Sequence, residues 1–419
     1  MPFQAQRGTQ DVLPSESPRW QWIEREFLSL ANLYGYREIR TPVFEDEGLF
    51  TRTSGETSDI VTKQMYNFED KGGRKLSLKP EGTAPVMRSV IEHNLCPTGS
   101  VARLCYLTPF YRYERPQKGR LREAHQAGLE LVGSPSVAAD AEVIEITVRF
   151  YERLGLKDLN VLINSLGREE CRACYREAIL AHAKAYLESQ SEEIRDKAQK
   201  NPLRLLDSKD PDAQEMIQSA PSVLEFLEPE SKVRFEELQC LLNNAGIQFT
   251  VEPSIVRGLD YYTETVFEVQ SARLGAQSSL CGGGRYDGLI KEIGGPPTPS
   301  VGVGMGIERA LIVLEAEELL PPLPPFDAFV AFTGMETRGE AYKVASKLRA
   351  AGLSAVMDVD AKSLKSQLRQ ADRSGALFVV VVGEEELGRG SVVLRNLATS
   401  IQQESPWAEV IEAIKKDLE

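Results

Sequence analysis

Apolar residues recur every three to four positions at Trp20, Ile23, Phe27 and Leu30, behind a Ser-x-x-Pro entry. That period predicts a helix from about Ser15 to Tyr34. The pattern then changes to strand-like runs at 37–45, 74–79, 103–114, 124–132 and 260–270, the third and fourth at hairpin spacing. Between about 170 and 245 the sequence is charged, helical in period and punctuated by Asn201-Pro202 and Pro229, which reads as a helical insertion. Past the prolines of Pro321-Pro322-Leu323-Pro324-Pro325 the pattern alternates: a strand at DAFVAF, a helix at 336–350, a strand at SAVMDV, a helix at 361–373 and a β-rich run from Ala376 to Val382. Proline removes backbone donors and holds an extended chain, so the proline run is expected to be a linker. The expected architecture is an α+β domain at 1–325, built on an antiparallel sheet with flanking helices and a helical insertion at about 170–245. A small α/β domain with a mostly parallel core follows at 326–419.

Composition narrows the field without naming a reaction. The 419 residues are 42% hydrophobic and 26% charged, as in ordinary globular chains, and no apolar run approaches the length of a membrane span. The start, MPFQAQRGTQDVLP, lacks the apolar core of a signal peptide, which points to a cytoplasmic protein. Six cysteines form no dense disulfide framework. The lone Cys171-x-x-Cys174 pair lacks the two further ligands that zinc would want nearby, so no metal site is expected in the protein itself. Three histidines and no Gly-x-Ser-x-Gly leave a hydrolase triad little to build on. A net charge of −13 argues against whole-surface nucleic-acid binding, while leaving room for a local basic face. Lys362, Lys365, Arg369 and Arg373, three or four residues apart, are candidates for such a face.

Five stretches carry candidate chemistry. The runs 103–114 and 124–132 flank a loop holding Arg115, Lys118, Arg120 and Arg122, a cluster suited to polyphosphate. Alternation puts Arg112 with Glu114 on one strand face, and Gln126, Gly128 and Glu130 on one face of the returning strand. Those polar groups are either solvated or the floor of a polar site, because burying them unpaired costs several kcal/mol each, on the order of 2 or more. Leu78-Lys79-Pro80-Glu81-Gly82-Thr83 offers a carboxylate and a hydroxyl suited to a substrate ammonium. Val256-Arg257-Gly258-Leu259-Asp260-Tyr261-Tyr262 adds an arginine, a carboxylate and two phenols. Cys281-Gly282-Gly283-Gly284-Arg285-Tyr286-Asp287-Gly288 lets backbone approach a ligand, and Val301 to Arg309 alternates glycine before opening into a helix. The spacing in Gly302-x-Gly304-x-Gly306 is not that of a dinucleotide fingerprint.

Taken in order, these stretches resemble the histidyl-tRNA synthetase family from about Arg7 to the C-terminus. The three motifs of class II synthetases resemble the helix and strand ending in Arg40-Thr41-Pro42, the span Phe110 to Glu130, and Gly302 to Arg309. The histidine-specific stretches resemble Arg257 to Glu268 and Cys281 to Gly288. Supporting runs are Arg7-Gly8-Thr9-Gln10-Asp11, Gly55 to Val61, Pro80 to Thr83 and Asn201-Pro202-Leu203-Arg204.

The resemblance implies ATP-dependent activation of histidine to the adenylate and transfer to tRNA(His), by a homodimer with Mg²⁺ on the phosphates. It implies ATP contacts at Arg112, Glu114, Arg120 and Arg309. Histidine contacts are implied at Glu81, Thr83, Gln126, Glu130, Tyr261 and Tyr262, with Arg112 and Arg257 as catalytic cations across the α-phosphate. The C-terminal domain would bind the anticodon. One departure stands out: Ala124 occupies a position where the family usually has a phenylalanine that stacks on adenine. The alternative is a non-aminoacylating paralogue acting as the regulatory subunit of ATP phosphoribosyltransferase in histidine biosynthesis. An intact Arg257-Gly258-Leu259-Asp260-Tyr261-Tyr262, Arg309 and the C-terminal domain favour the enzyme.

Overall fold

The computed structural model describes residues 3–418 except 56, 57, 59, 118, 208, 209, 256–258 and 260. Arg257 and Lys118 therefore lie outside the described residues. The chain divides into two compact units, Met1–Pro321 and Pro322–Glu419.

The first unit contains strands β1 (Arg37–Glu38), β2 (Phe44–Asp46), β3 (Tyr66–Glu69), β4 (Lys75–Leu78), β5 (Ala102–Tyr111), β6 (Glu123–Val132), β7 (Asn160–Ser165), β8 (Thr250–Val251), β9 (Thr263–Gln270), β10 (Ser279–Arg285) and β11 (Ser300–Gly306). Eight of them form one sheet in the order β1-β5-β6-β11-β10-β9-β7-β8. Its interior pairings are antiparallel; only the edge pairs β1–β5 and β7–β8 are parallel. The stretch at 37–45 is two short strands rather than one, and β2 joins a separate three-stranded sheet with β4 and β3.

Because side chains alternate along a strand, each face of the large sheet has its own character. Ala127, Leu129 and Leu131 of β6, with Val301, Val303 and Met305 of β11, point into the main core. There they meet Phe27 of helix Ser17–Leu33, Val143 and Phe150 of helix Val137–Arg153, and Leu238 of helix Pro229–Asn244. Ser136 starts the second of these helices by accepting the Ala138 N–H at 3.2 Å. Gln126, Gly128 and Glu130 are thereby committed to the opposite face. The helical stretch divides in two: residues from Tyr175 to Val223 build a small core of their own, whereas helix Pro229–Asn244 packs on the main one. Cys171 is buried at its start and Cys174 is exposed.

The second unit contains β12 (Ala328–Phe332), β13 (Ala355–Met357), β14 (Phe378–Val382), β15 (Ser391–Asn396) and β16 (Gln402–Pro406), in the order β13-β12-β14-β15-β16. The first three strands are parallel. β12 reads Ala-Phe-Val-Ala-Phe and is buried at every position, as expected for a central parallel strand covered on both faces. β15 and β16 add an antiparallel edge. The helix placed at 361–373 runs Leu364–Ser374 and ends at Gly375 with a φ of 71°. Lys362 consequently precedes the helix and pairs with Asp360, leaving Lys365, Arg369 and Arg373 as the exposed stripe. None of the described helices is long and apolar enough to cross a membrane.

Candidate active site

The polar face of the large sheet is assembled around glycines. Gly304 faces Gly128 and Gly282 across the ladder, and Gly302 faces Glu130 and Gly284. A methyl at Gly304 would lie 1.6 Å from Gln126 Nε2, and one at Gly302 would lie 1.8 Å from Glu130 Oε2. Glycine here is a matter of room: it lets Gln126 and Glu130 lie along the floor. Gln126 Oε1 is buried with no hydrogen-bond partner among the described residues. A buried acceptor of that kind is costly to leave unpaired, on the order of 1–3 kcal/mol, so the site is built to receive a donor.

Glu130 is fully buried at the centre of this floor. Thr83 donates its hydroxyl to Oε1 at 2.7 Å, Tyr106 donates to the same oxygen at 3.1 Å, and Tyr286 donates to Oε2. Burial pushes the carboxyl up to about 8, even against these three hydroxyls. Tyr106 and Tyr286 themselves are held well above the ordinary phenol range, chiefly by burial and then by Glu130. Tyr261 packs in the same group, tilted against Tyr262 at 4.7 Å and edge-on to Tyr286 at 5.4 Å between ring centroids.

Glu81 stands at the N-terminus of helix Thr83–Glu92, where its two oxygens accept the N–H groups of Thr83 at 2.6 Å and Ala84 at 2.8 Å. The orphan donors of a helix start thus fix the carboxylate, while each oxygen keeps a second lone pair. Burial raises its pKa, opposed by those backbone bonds. Lys79, fully buried, donates to the carbonyl of Thr41 at 3.3 Å, tying the first motif to this loop.

The basic end of the site lies beyond the β5–β6 ladder. Arg112 follows β5 and donates Nε to the Pro80 carbonyl at 2.8 Å. Glu114 lies 3.9 Å from Arg112 Nη1 and pairs with Arg120 Nε at 2.6 Å. Arg309, on helix Ile307–Ala316, donates to the carbonyls of Gly119 at 3.1 Å and Ser279 at 2.6 Å. Burial lowers the pKa of Arg112 and of Arg309, and Arg120 beside Arg309 adds to its shift. Even with Glu114 among them, these three guanidinium groups leave an excess of positive charge that suits a further anion.

The expected site residues among the described ones thus fall into two clusters on the first unit: Glu81, Thr83, Gln126, Glu130 and the phenols at one end, and Arg112, Arg120 and Arg309 with Glu114 at the other. Tyr106 was missed by sequence reasoning, although it sits two and four residues before Thr108 and Phe110 on the strand face of the site. Tyr286 lay within a quoted motif with no role given to it. What signalled neither was contact with Glu130, which joins residues 24 and 156 positions apart.

Comparison with known proteins agrees with this geometry. The profile of the histidyl-tRNA synthetase family matches residues 8–310, and that of the anticodon binding domain matches 327–417. The histidine–tRNA ligase of Caldanaerobacter subterraneus subsp. tengcongensis is 46% identical over 412 residues, covering 98% of this chain and 99% of that protein. The crystal structure of apo S. aureus histidyl-tRNA synthetase superposes with a TM-score of 0.84 at 35% identity, covering 99% of this chain and 100% of that one. A structure described as an ATP phosphoribosyltransferase regulatory subunit/histidyl-tRNA synthetase from Bacillus halodurans C gives 0.63 at 26% identity over 91% of this chain and 99% of that one. With a family profile spanning most of the first unit and near-complete relatives at this identity, the chain belongs to the histidyl-tRNA synthetase family of class II aminoacyl-tRNA synthetases.

Proposed function

We propose that the glycine-lined floor is where this histidine–tRNA ligase joins histidine to ATP and then passes it to tRNA(His). Glu81 and Thr83 take the ammonium of histidine, and Gln126 lies by its carboxylate with Nε2 donating there, while the otherwise unpartnered Oε1 accepts from the adjacent ammonium. Glu130 and Tyr262 bond the two imidazole nitrogens, with Tyr261 packed beside them. A carboxylate oxygen of histidine attacks the α-phosphorus, the bond to the bridging oxygen breaks, and pyrophosphate leaves with that electron pair. Charge spreads over the phosphoryl oxygens in this step, so Arg112 and Arg257, as preorganised cations, act on the transition state more than on the ground state. Glu114 accepts from the adenine amino group, while Arg120 and Arg309 take the outer phosphates, where a planar fork pairs bidentately with oxygen. In a second step the terminal ribose hydroxyl of the tRNA attacks the carbonyl carbon and AMP leaves.

Mg²⁺ bound with ATP would supply positive charge that neutralises the phosphates, beside the cations Arg120 and Arg309. Among the described residues no group of three His, Cys, Asp or Glu side chains makes a protein cage. Glu268, on β9 opposite Gly282, is with Glu114 one of the two carboxylates that act on Arg309, Glu114 the more strongly.

The observation that carries this reading is the juxtaposition of buried Glu81 and Glu130 with the guanidinium groups of Arg112 and Arg309 on one sheet face. The family places the first-motif segment at a dimer interface, and Val43 and Phe44 are exposed there at 42% and 48%. We take the working form to be a cytoplasmic homodimer. The regulatory reading has only the weaker Bacillus halodurans likeness behind it. The test is esterification of tRNA(His) by labelled histidine in the presence of ATP and Mg²⁺. Histidine-specific charging is expected, and its failure with a folded protein would overturn the proposal.

A further inference from the structure

Ala124 leaves the adenine end of the floor without the ring that the family usually places there. On the neighbouring strand, in register with Ala124, stands Phe110. Directly opposed residues of an antiparallel pair project from the same face. Ala124 shares its face with Gln126 and Glu130, so Phe110 points into the site and away from the main core. Its ring is half-buried, and the Arg112 guanidinium carbon lies 5.2 Å from the ring centroid.

We propose that Phe110 is the base-stacking residue of this chain, the ring having crossed the ladder from β6 to β5. This rests on the ATP site proposed above. The argument is one of volume. Opposed side chains start about 5 Å apart, so a ring from either strand can cover the same ground, but two rings overfill it. A small residue on β6 is what a ring on β5 requires, and Ala124 is buried at 9% exposure beside Phe110. On the far side, Arg309 folds back over Gly306, whose methyl would sit 3.4 Å from the arginine Cδ. Gly306 pairs with Gln126, the next site-facing residue after Ala124. The base therefore has an aromatic surface on β5, and the Arg309 side chain passing over Gly306 bounds the same slot on its way to the outer phosphates.

The test measures ATP binding by calorimetry together with the Michaelis constants for ATP, histidine and pyrophosphate in exchange, for wild type and four variants. Phe110→Leu should weaken ATP about tenfold or more, the lower part of the range for one lost stacked base. Its constants for histidine and pyrophosphate should stay within about twofold of wild type, because only the base loses a contact. Phe110→Tyr should keep ATP affinity. Ala124→Phe alone should leave ATP binding unchanged or worse, since the slot is filled. Phe110→Leu/Ala124→Phe should recover most of the loss by returning the ring to β6. Unchanged ATP affinity in Phe110→Leu, or a loss that the double variant deepens, would overturn the proposal. If Phe110→Leu does not fold, Ala124→Phe decides alone: tighter ATP binding would mean an empty slot and refute it. Wild type that exchanges normally while ignoring Phe110→Leu would refute this inference and leave the activity standing. Wild type that binds ATP through Phe110 without exchange would do the reverse.

Discussion

Replacing Gly304 by alanine should weaken histidine binding without unfolding the protein. The added methyl would stand 1.6 Å from Gln126 Nε2, whereas ordinary contacts begin at 3.4 Å, so the amide must leave its place on the floor. The cost to the fold is small, because the atom that must move is the end of a flexible side chain and Gly304 does not have a positive φ. The cost to the substrate is that of one hydrogen bond near its carboxylate. For a bond to a charged group this is about 1.5–3 kcal/mol, or roughly a ten- to hundredfold rise in the Kd for histidine. Calorimetric titration of the variant with histidine measures it, and Tm should stay within a few degrees of wild type. Gln126→Ala should produce a similar loss, and the double variant should be little worse than either, because both act through one side chain. Unchanged histidine affinity in Gly304→Ala, or strict additivity in the double variant, would refute the claim that this glycine exists to seat Gln126.

Other consequences follow from the same geometry. Burial holds the Glu130 carboxyl up at about 8 against its ordinary 4.5, so the folded state keeps a proton that the unfolded chain releases between those values. The stability this supplies is complete below about pH 4.5 and is lost as pH rises to about 8. Glu130→Gln should flatten the fall in stability between pH 5 and 8, which for wild type amounts to a few kcal/mol, at most roughly 4–5. Denaturant midpoints across that range measure it, and parallel profiles would contradict a buried titrating carboxyl. The chain should sediment as a dimer at micromolar concentration, covering Val43 and Phe44; a monomer would remove the interface from the account. Arg112→Ala should reduce adenylate formation by on the order of a hundredfold, as loss of one preorganised donor does, while calorimetric histidine binding survives. Loss of both together would instead mark Arg112 as a support of the fold, through its bond to Pro80.

What could be read from the sequence follows the range of the interactions involved. Period-two and period-3.6 patterns located the helix at 17–33, the hairpin of β5 and β6 and the alternating elements of the C-terminal unit, because those patterns are local. Site residues were legible as motifs and not as contacts. Glu81, Gln126 and Glu130 could be named, but the bonds of Thr83, Tyr106 and Tyr286 to Glu130 depend on a ladder that brings together residues far apart in the chain. β16 was invisible for a different reason: it is Gln-Gln-Glu-Ser-Pro, exposed at most positions, with no apolar alternation to detect, whereas β15, Ser-Val-Val-Leu-Arg-Asn, carried a legible β-branched run that was not read. The Ala124 departure was visible at once, but its partner was not. Phe110 becomes relevant only when register sets it opposite. Lys362 shows the limit of spacing arguments: its interval fits the stripe, but the helix starts two residues later.

The central claim, that this chain activates histidine on the glycine floor with cations acting on the α-phosphate, is tested most directly by histidine-dependent ATP–pyrophosphate exchange in wild type and Arg257→Ala. Exchange is expected with histidine alone among the amino acids. Arg257→Ala should reduce it by about a hundredfold or more while calorimetric histidine binding persists, and Arg257→Lys should recover only part, since an ammonium lacks the planar fork. Wild-type exchange at background would contradict the synthetase reading and favour the regulatory one; full exchange by Arg257→Ala would contradict the role given to that arginine.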